Sequence, residues 1–246
     1  KKDKTRKQIV VGVSVVAVLA VAGAVSYGVM QLNKPSAWEA AADAKNVSAP
    51  KNTSGDDGTT VVIGKDSAKK TLELYEDSRC PVCATFEQSV GETVAKDVEA
   101  GKYKIKYIGA TFIDNAANGE GSKNALSALG AALDVSPEAF LDYKSALYSA
   151  KFHPEETDDK FAKDDYLLEV ADSVDALKGN KAFEKAVKDG TYDAWAMKMS
   201  KAFDKSGVKG TPTLMMDGKK ITTEGSDNAP MTEADFNTAI TAALKG

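Results

Sequence analysis

Residues 77–83 read Asp77-Ser78-Arg79-Cys80-Pro81-Val82-Cys83 and contain the only two cysteines of a 246-residue chain. A strand-like run, Thr71 to Glu76, leads into the segment. After it Cys83, Phe86, Val90, Val94 and Val98 recur at three- or four-residue steps, the spacing of a helix with one apolar face. The cysteines therefore stand where a strand gives way to a helix. The first turn of a helix presents unpaired N–H groups and about half a positive charge to whatever caps it. Pro81 suits the first helical position, since it has no N–H to lose and its φ is already helical. Cys80 is then the N-cap, and a thiolate there accepts backbone N–H bonds, which lowers its pKa below the usual value of about 8.5. Cys83, one turn in and on the apolar face, is expected to be buried and less nucleophilic. The spacing predicts one attacking and one resolving cysteine.

Two other uses of C-x-x-C fit less well. A zinc site needs four ligands, and the only histidine, His153, lies in a polar segment among acidic residues. A purely structural disulfide across so short a loop removes little chain entropy and stabilises weakly. No metal or organic cofactor is expected; the redox group is the Cys80–Cys83 pair itself.

The N-terminus has a different character. Residues 1–8 carry five basic side chains against Asp3, and Ile9 to Met30 runs 22 residues without a charge. As a helix this run is about 33 Å long, enough for a hydrocarbon core of about 30 Å. We expect residues 1–8 to be a cytoplasmic tail and 9–30 a single-pass anchor, with everything after it extracytoplasmic. A cleaved signal peptide is the alternative, though its apolar core is usually about 7–15 residues. Residues 31–59, rich in small and polar residues with Pro35 and Pro50, read as a flexible linker. Residues 60–246 are long enough for one domain with its own core. The net charge of −4, with a basic tail at one end, leaves the remainder acidic, which argues against a nucleic-acid partner.

Within the domain, Val61 to Ile63 reads as a short strand. Leu72, Leu74 and Glu76 share one face of the next, which directs a carboxylate toward the core just before the cysteines. Glu76 is a candidate for tuning the site or relaying protons, against the plainer reading that it has already emerged into solvent. Asp77, Ser78 and Arg79 read as a connecting loop. Tyr103, Ile105 and Tyr107 alternate with lysines as in a strand. From about Asp114 to Ser206 the signals are helical: Leu126 to Leu133, a helix capped by Ser136-Pro137, one from Leu167 that stops at Gly179, a short one over 181–189, and a stripe of Tyr192, Trp195 and Met199. The acidic residues Asp158, Asp159, Asp164 and Asp165 lack calcium-loop spacing and read as solvated surface. The second informative stretch is Gly210-Thr211-Pro212-Thr213, followed by strand Leu214-Met215-Met216 and the hairpin signal Asp217-Gly218. A last helix, capped by Thr232, carries Phe236, Ile240 and Leu244.

This order of elements, with the two motifs on either side of a helical block, resembles the thioredoxin fold with a helical insertion at about 114–206. More closely it resembles the membrane-tethered DsbA-like thiol–disulfide oxidoreductases of Gram-positive and actinobacterial type. The resemblance covers about Thr60 to the end. It implies an α/β domain with a cis peptide at Pro212 beside Cys80, and an extended substrate held by Gly210, Thr211, Pro81 and Val82. It also implies exported proteins as substrates and a membrane redox partner of the DsbB or vitamin K epoxide reductase type. In two places the sequence departs from the pattern: Val82 stands where strongly oxidising members have histidine, and Leu74 stands where thioredoxin has a buried acid. Two rival functions share these motifs. One is a reductase for cytochrome or metal-centre maturation. The other is a non-catalytic copper carrier using the thiols with Met215 or Met216.

Overall fold

The computed structural model describes residues 36–56 and 58–246. The basic tail and the membrane-spanning reading of residues 9–30 lie outside the described residues. Among the described residues, no helix is long and apolar enough to cross a membrane. The chain divides into residues 1–40 and 41–246. A short helix, α1 (Ala37–Ala42), begins with a capping box: Ser36 Oγ accepts from Glu39 N at 3.1 Å, and Glu39 Oε2 accepts from Ser36 N at 2.6 Å.

The second unit alternates strand and helix as its sequence periods require. In order it runs β1 (Val61–Ile63), β2 (Thr71–Asp77), α2 (Pro81–Phe86), a π-wound turn (Glu87–Gly91), α3 (Glu92–Glu99), β3 (Lys104–Ala110) and α4 (Ile113–Ala116). It continues with α5 (Gly121–Val135), α6 (Pro137–Tyr148), α7 (Asp164–Ala171), α8 (Lys181–Lys188), α9 (Asp193–Lys205), β4 (Thr213–Met216), β5 (Lys219–Lys220) and α10 (Glu233–Lys245). The sheet order is β1-β3-β2-β4-β5. Strands β2 and β3 are parallel, joined by the crossover through the C-x-x-C helix, and β4 lies antiparallel to β2 with Leu214 opposite Leu74. The Asp217-Gly218 turn takes positive φ at both residues (52° and 75°), as a tight hairpin demands. Ser136 caps α6 through its hydroxyl, which accepts from Ala139 N at 3.0 Å. The helical insertion runs from Ile113 to Lys205 between β3 and β4, close to the predicted 114–206. Trp195 and Met199 are buried in the core, as their spacing predicted.

Four readings need correction. Much of the stretch read as linker is tied to the domain. Lys51 N and Nζ donate to Asp134, Asn52 Nδ2 donates to the Leu133 carbonyl, and Trp195 Nε1 donates to the Gly58 carbonyl at 2.8 Å. The composition of this stretch hid it, because its anchors are backbone and long-range polar contacts with no apolar period. The helix expected to stop at Gly179 ends at Ala171, although Val174 and Leu177 remain buried in turns beyond it. The helix after the cysteines is continuous but widens into a π turn at Glu87–Gly91. Finally, of the connecting loop read at 77–79, Asp77 belongs to the end of β2, while Ser78 and Arg79 form the turn and are buried with it.

Candidate active site

The end of β2 aims the chain into the site, and α2 begins with the geometry its sequence predicted. Cys80 is the N-cap, with extended backbone (φ −72°, ψ 117°), and Pro81 opens the helix. Cys83 N donates to Cys80 Sγ at 3.4 Å. From the far end of the insertion comes the Thr211–Pro212 peptide, which is cis, and the Cys80 thiol donates to the Thr211 carbonyl at 3.5 Å. The two motifs, 131 residues apart in sequence, meet at one sulfur atom. Gly210 completes the loop by accepting from Thr213 Oγ1 at 2.7 Å. Val82 is half exposed at the rim, and Pro81 is exposed. A groove of about 480 Å³ runs past Val82, Gly210, Thr211 and Pro212, with Lys209 and Met231 on its walls.

The two sulfurs differ in acidity for physical reasons. Cys80 drops from an ordinary value of 9.0 to about 6. Its anion takes a hydrogen bond from the Cys83 thiol, and others from Thr211 and from the N–H groups of Cys83 and Val82; these outweigh the opposing effect of burial. With Cys80 present as the thiol, the buried Thr211 hydroxyl has no hydrogen-bond partner. Cys83 is fully buried and rises well above 9, first through desolvation, then through its hydrogen bond to Cys80 and the nearby Glu76 charge. Near neutral pH Cys80 is therefore mainly thiolate, while Cys83 keeps its proton.

Behind Cys83 lies a buried polar pocket. Glu76 has no exposed surface, so its solvated reading is overturned. Desolvation raises its pKa from 4.5 to about 7, against the opposing charge of Lys144. Lys144 Nζ lies 3.3 Å from Glu76 Oε2 and 2.5 Å from Glu87 Oε2. The hydroxyls of Tyr107 and Tyr148 and both oxygens of Glu76 are buried without a hydrogen-bond partner. Both phenols interact with Glu76 and Cys83, and Tyr148 packs with the cysteines and Ile113 in one apolar cluster.

On the other side Asp77 accepts from Ser122 Oγ (2.6 Å), Arg79 N (3.1 Å) and Ile113 N (3.1 Å). The Arg79 guanidinium bonds Asp114 (2.9 Å) and the Glu156 carbonyl (2.7 Å) and pairs with Asp159 (3.1 Å). Asp159, read as solvated surface, thus anchors Arg79 and accepts from the N–H groups of Glu120 and Gly121. His153, set aside as a stray, donates from Nε2 to the Ser78 carbonyl at 3.2 Å and stacks on Tyr148. Burial lowers its pKa. Sequence reasoning missed Lys144, His153 and Asp159. Only the apolar setting of Lys144 on α6, between Tyr143 and Leu147, held a signal, since a lysine on a core face needs a buried partner.

Met215 and Met216 are not near the thiols: Met216 sits in the main core, and Met215 packs with Tyr75, Ile108 and Phe203. This placement removes the thioether ligands from the copper-carrier reading.

Residues 56–242 match the family model described as Thioredoxin. The chain belongs to the thioredoxin family. Within that family it is similar to Bacillus subtilis "Disulfide bond formation protein D", 26% identical over 161 residues, which cover 65% of this chain and 68% of that protein. Among solved structures, the reduced form of the disulfide bond oxidoreductase DsbG of Mycobacterium tuberculosis superposes with TM-score 0.62 and 25% identity, covering 77% of this chain and 89% of its own. The thiol–disulfide oxidoreductase MdbA of Actinomyces oris shares the fold, with TM-score 0.64 at 20% identity over 80% and 93% of the two chains. These relatives place the thioredoxin-family chain among DsbA-like thiol–disulfide oxidoreductases.

Proposed function

We propose that the protein is a membrane-anchored, extracytoplasmic oxidase that introduces disulfides into exported proteins. The observation that carries this is the asymmetric thiol pair. Cys80, at about pKa 6, is stabilised as a leaving and attacking thiolate beside an open groove, while Cys83 is held as a buried thiol. Stabilising the Cys80 thiolate stabilises the reduced form of the pair, and this makes its disulfide a stronger oxidant.

In the cycle a substrate thiolate attacks Cys80 Sγ of the Cys80–Cys83 disulfide. The S–S electron pair leaves on Cys83 Sγ, which takes up a proton. A second substrate thiolate then attacks the substrate sulfur of the mixed disulfide, and Cys80 leaves as thiolate. The substrate has lost two electrons and two protons; the motif has gained the two electrons and one proton, on Cys83, and the other proton goes to solvent. The extended substrate lies along Gly210 and Thr211 in the manner of an added strand, with Pro81 and Val82 forming the opposite rim. Pro212 positions the Thr211 backbone beside the reacting sulfur. Glu76 tunes the site and serves as the acid–base partner of Cys83. Reoxidation by a membrane partner of the DsbB or vitamin K epoxide reductase type completes the cycle, which uses no redox group beyond the two cysteines. The anchor is the uncharged run 9–30, whose basic flank sets the domain outside.

The test is the equilibrium potential of the full chain in glutathione buffers. A value toward about −120 mV is expected of the oxidase. One well below about −230 mV would turn the assignment to a reductase.

A further inference from the structure

We propose that a lysine-lined groove between α9 and residues 41–47 docks on anionic phospholipid headgroups and so holds the catalytic unit against the membrane. The proposal rests on the anchor assigned above to residues 9–30. The groove, of about 410 Å³, carries the ammonium groups of Lys45, Lys198, Lys201 and Lys205 beside alanines and Val47, and no carboxylate lines it. Such a lining stands out on a chain of net charge −4. The groove past Thr211 and Pro212 includes Asp227, the one beside Glu87 and Lys144 includes Glu92 and Asp142, and the one along Lys219 and Lys220 includes Asp217, Glu224 and Asp235.

Lys198, Lys201 and Lys205 recur at three- and four-residue steps and share one face of α9, whose other face buries Trp195, Met199 and Phe203. Like charges at this spacing repel, and a surface helix ordinarily offsets them with acids one turn away. Helices α8 and α3 do so: Lys181 pairs with Glu184, Lys185 with Asp189 and Lys96 with Glu92. On α9 the positions one turn to either side of Lys198 hold Ala194 and Ala202. Of the helix's two acids, Asp193 turns inward to accept from Ser127 Oγ at 2.7 Å, and Asp204, like Asp43 on the facing segment, is exposed outside the groove. Lys201 Nζ donates to the Ala42 carbonyl at 2.5 Å, which ties the segment to the helix through a neutral acceptor and leaves the ammonium charge unopposed there.

The place of the groove along the chain selects its occupant. Residues 31–40 separate the uncharged run from Ala41, and that many residues reach at most about 35 Å even when fully extended. The groove is therefore kept close to the surface of the anchoring membrane, at an effective concentration that makes a weak attraction sufficient. Each lysine near a surface rich in anionic lipid strengthens attachment about fivefold, and the attraction acts within about 8 Å at physiological salt. Headgroup phosphate oxygens meet the ammonium groups, and the small side chains between the lysines leave them room. Helix α9 leads directly into the Gly210–Pro212 loop, so seating its lysines on the bilayer fixes where the substrate groove opens relative to the membrane.

The experiment places the full chain in vesicles of phosphatidylcholine alone or with phosphatidylglycerol added, and flotation checks that it is membrane-bound. A membrane-impermeant acetylating reagent, under single-hit conditions, then gives the reaction rate of each lysine by mass spectrometry. With phosphatidylglycerol at about 0.1 M salt, Lys45, Lys198, Lys201 and Lys205 should react at least about fivefold more slowly than in phosphatidylcholine, and the difference should vanish at about 1 M salt. Lys181, Lys185 and Lys188 on α8 should keep their rates. The variant Lys45→Gln/Lys198→Gln/Lys205→Gln retains the Lys201 bond to Ala42; it should lose the protection of Lys201 while dithiothreitol reduces it at the wild-type rate. The wild-type rates decide the question even if this variant fails to fold. Rates that agree within about twofold between the two vesicles overturn the docking, as does protection spread evenly over α8. If added polyglutamate protects the four lysines where phosphatidylglycerol does not, the occupant is an acidic polypeptide and the lipid assignment falls. A full chain that does not float with phosphatidylcholine vesicles strikes the anchor and the docking together, whereas one that floats with unprotected lysines strikes the docking alone.

Discussion

Glu76 and Asp77 are neighbours in sequence, both fully buried and both pushed by desolvation to about pKa 7, yet their surroundings differ. Asp77 spends its oxygens on three hydrogen-bond donors, two of them backbone N–H groups, and the adjacent Arg79 is fixed by Asp114, Asp159 and the Glu156 carbonyl. Glu76 has no hydrogen bond, only an ammonium at 3.3 Å and two phenols without partners. The strand pleat sends consecutive side chains to opposite faces, so one step along the chain separates a carboxylate locked into the architecture from one that no hydrogen bond holds. Burial and a shifted pKa do not by themselves distinguish these roles. The hydrogen-bond inventory does.

Breaking the locked side should cost the most. Arg79→Ala leaves Asp114 buried beside a lost cation, and unfolding in denaturant should show a loss of about 3–5 kcal/mol. If the loss were under about 1 kcal/mol, the cluster would not be holding the insertion to the motif.

The free side should reveal itself in pH dependence. The folded pKa of Glu76 (about 7) lies above its ordinary 4.5, so between these values the folded state holds more protons than the unfolded state. Its contribution to stability is full below about 4.5 and is lost as pH rises through 7. Glu76→Gln should therefore gain on wild type as pH rises over that window, by about 1–3 kcal/mol in denaturant titrations. A difference that is flat with pH would show that Glu76 is already ionised in the fold.

Cys80 has the opposite sign: its folded pKa is lowered from 9.0 to about 6, so reduced protein gains stability as pH rises from 6 to 9, and the oxidised form lacks this term. The matching measurement is the pH profile of alkylation, with a midpoint near pH 6 carried by Cys80 alone. The smallest effect sharpens the comparison most. Glu76→Gln should lower the Cys80 midpoint by a few tenths of a unit, since the two charges interact, while Ser122→Ala, on the locked side, should leave that midpoint in place and cost about 1 kcal/mol of stability.

The sequence was legible where short-range rules act. The alternation at Leu72, Leu74 and Glu76, the N-cap at Cys80 with Pro81, the Ser136-Pro137 cap and the Asp217-Gly218 turn each state their geometry within a few residues. Placing Pro212 beside Cys80 needed family resemblance as well, because no local rule spans 131 residues. What stayed hidden were long-range polar partnerships. Lys144, Asp159 and His153 acquire their roles only when the insertion folds over the motif, and a charged residue's pattern in sequence is the same whether its partner is water or a buried ion.

The sheet's two margins are the three-residue β1 and the two-residue β5, the latter made of Lys219 and Lys220. Margins this brief, one of them bearing ammonium groups, offer the loose strands of other chains almost no template, so the sheet resists growing by the addition of a foreign strand at either end.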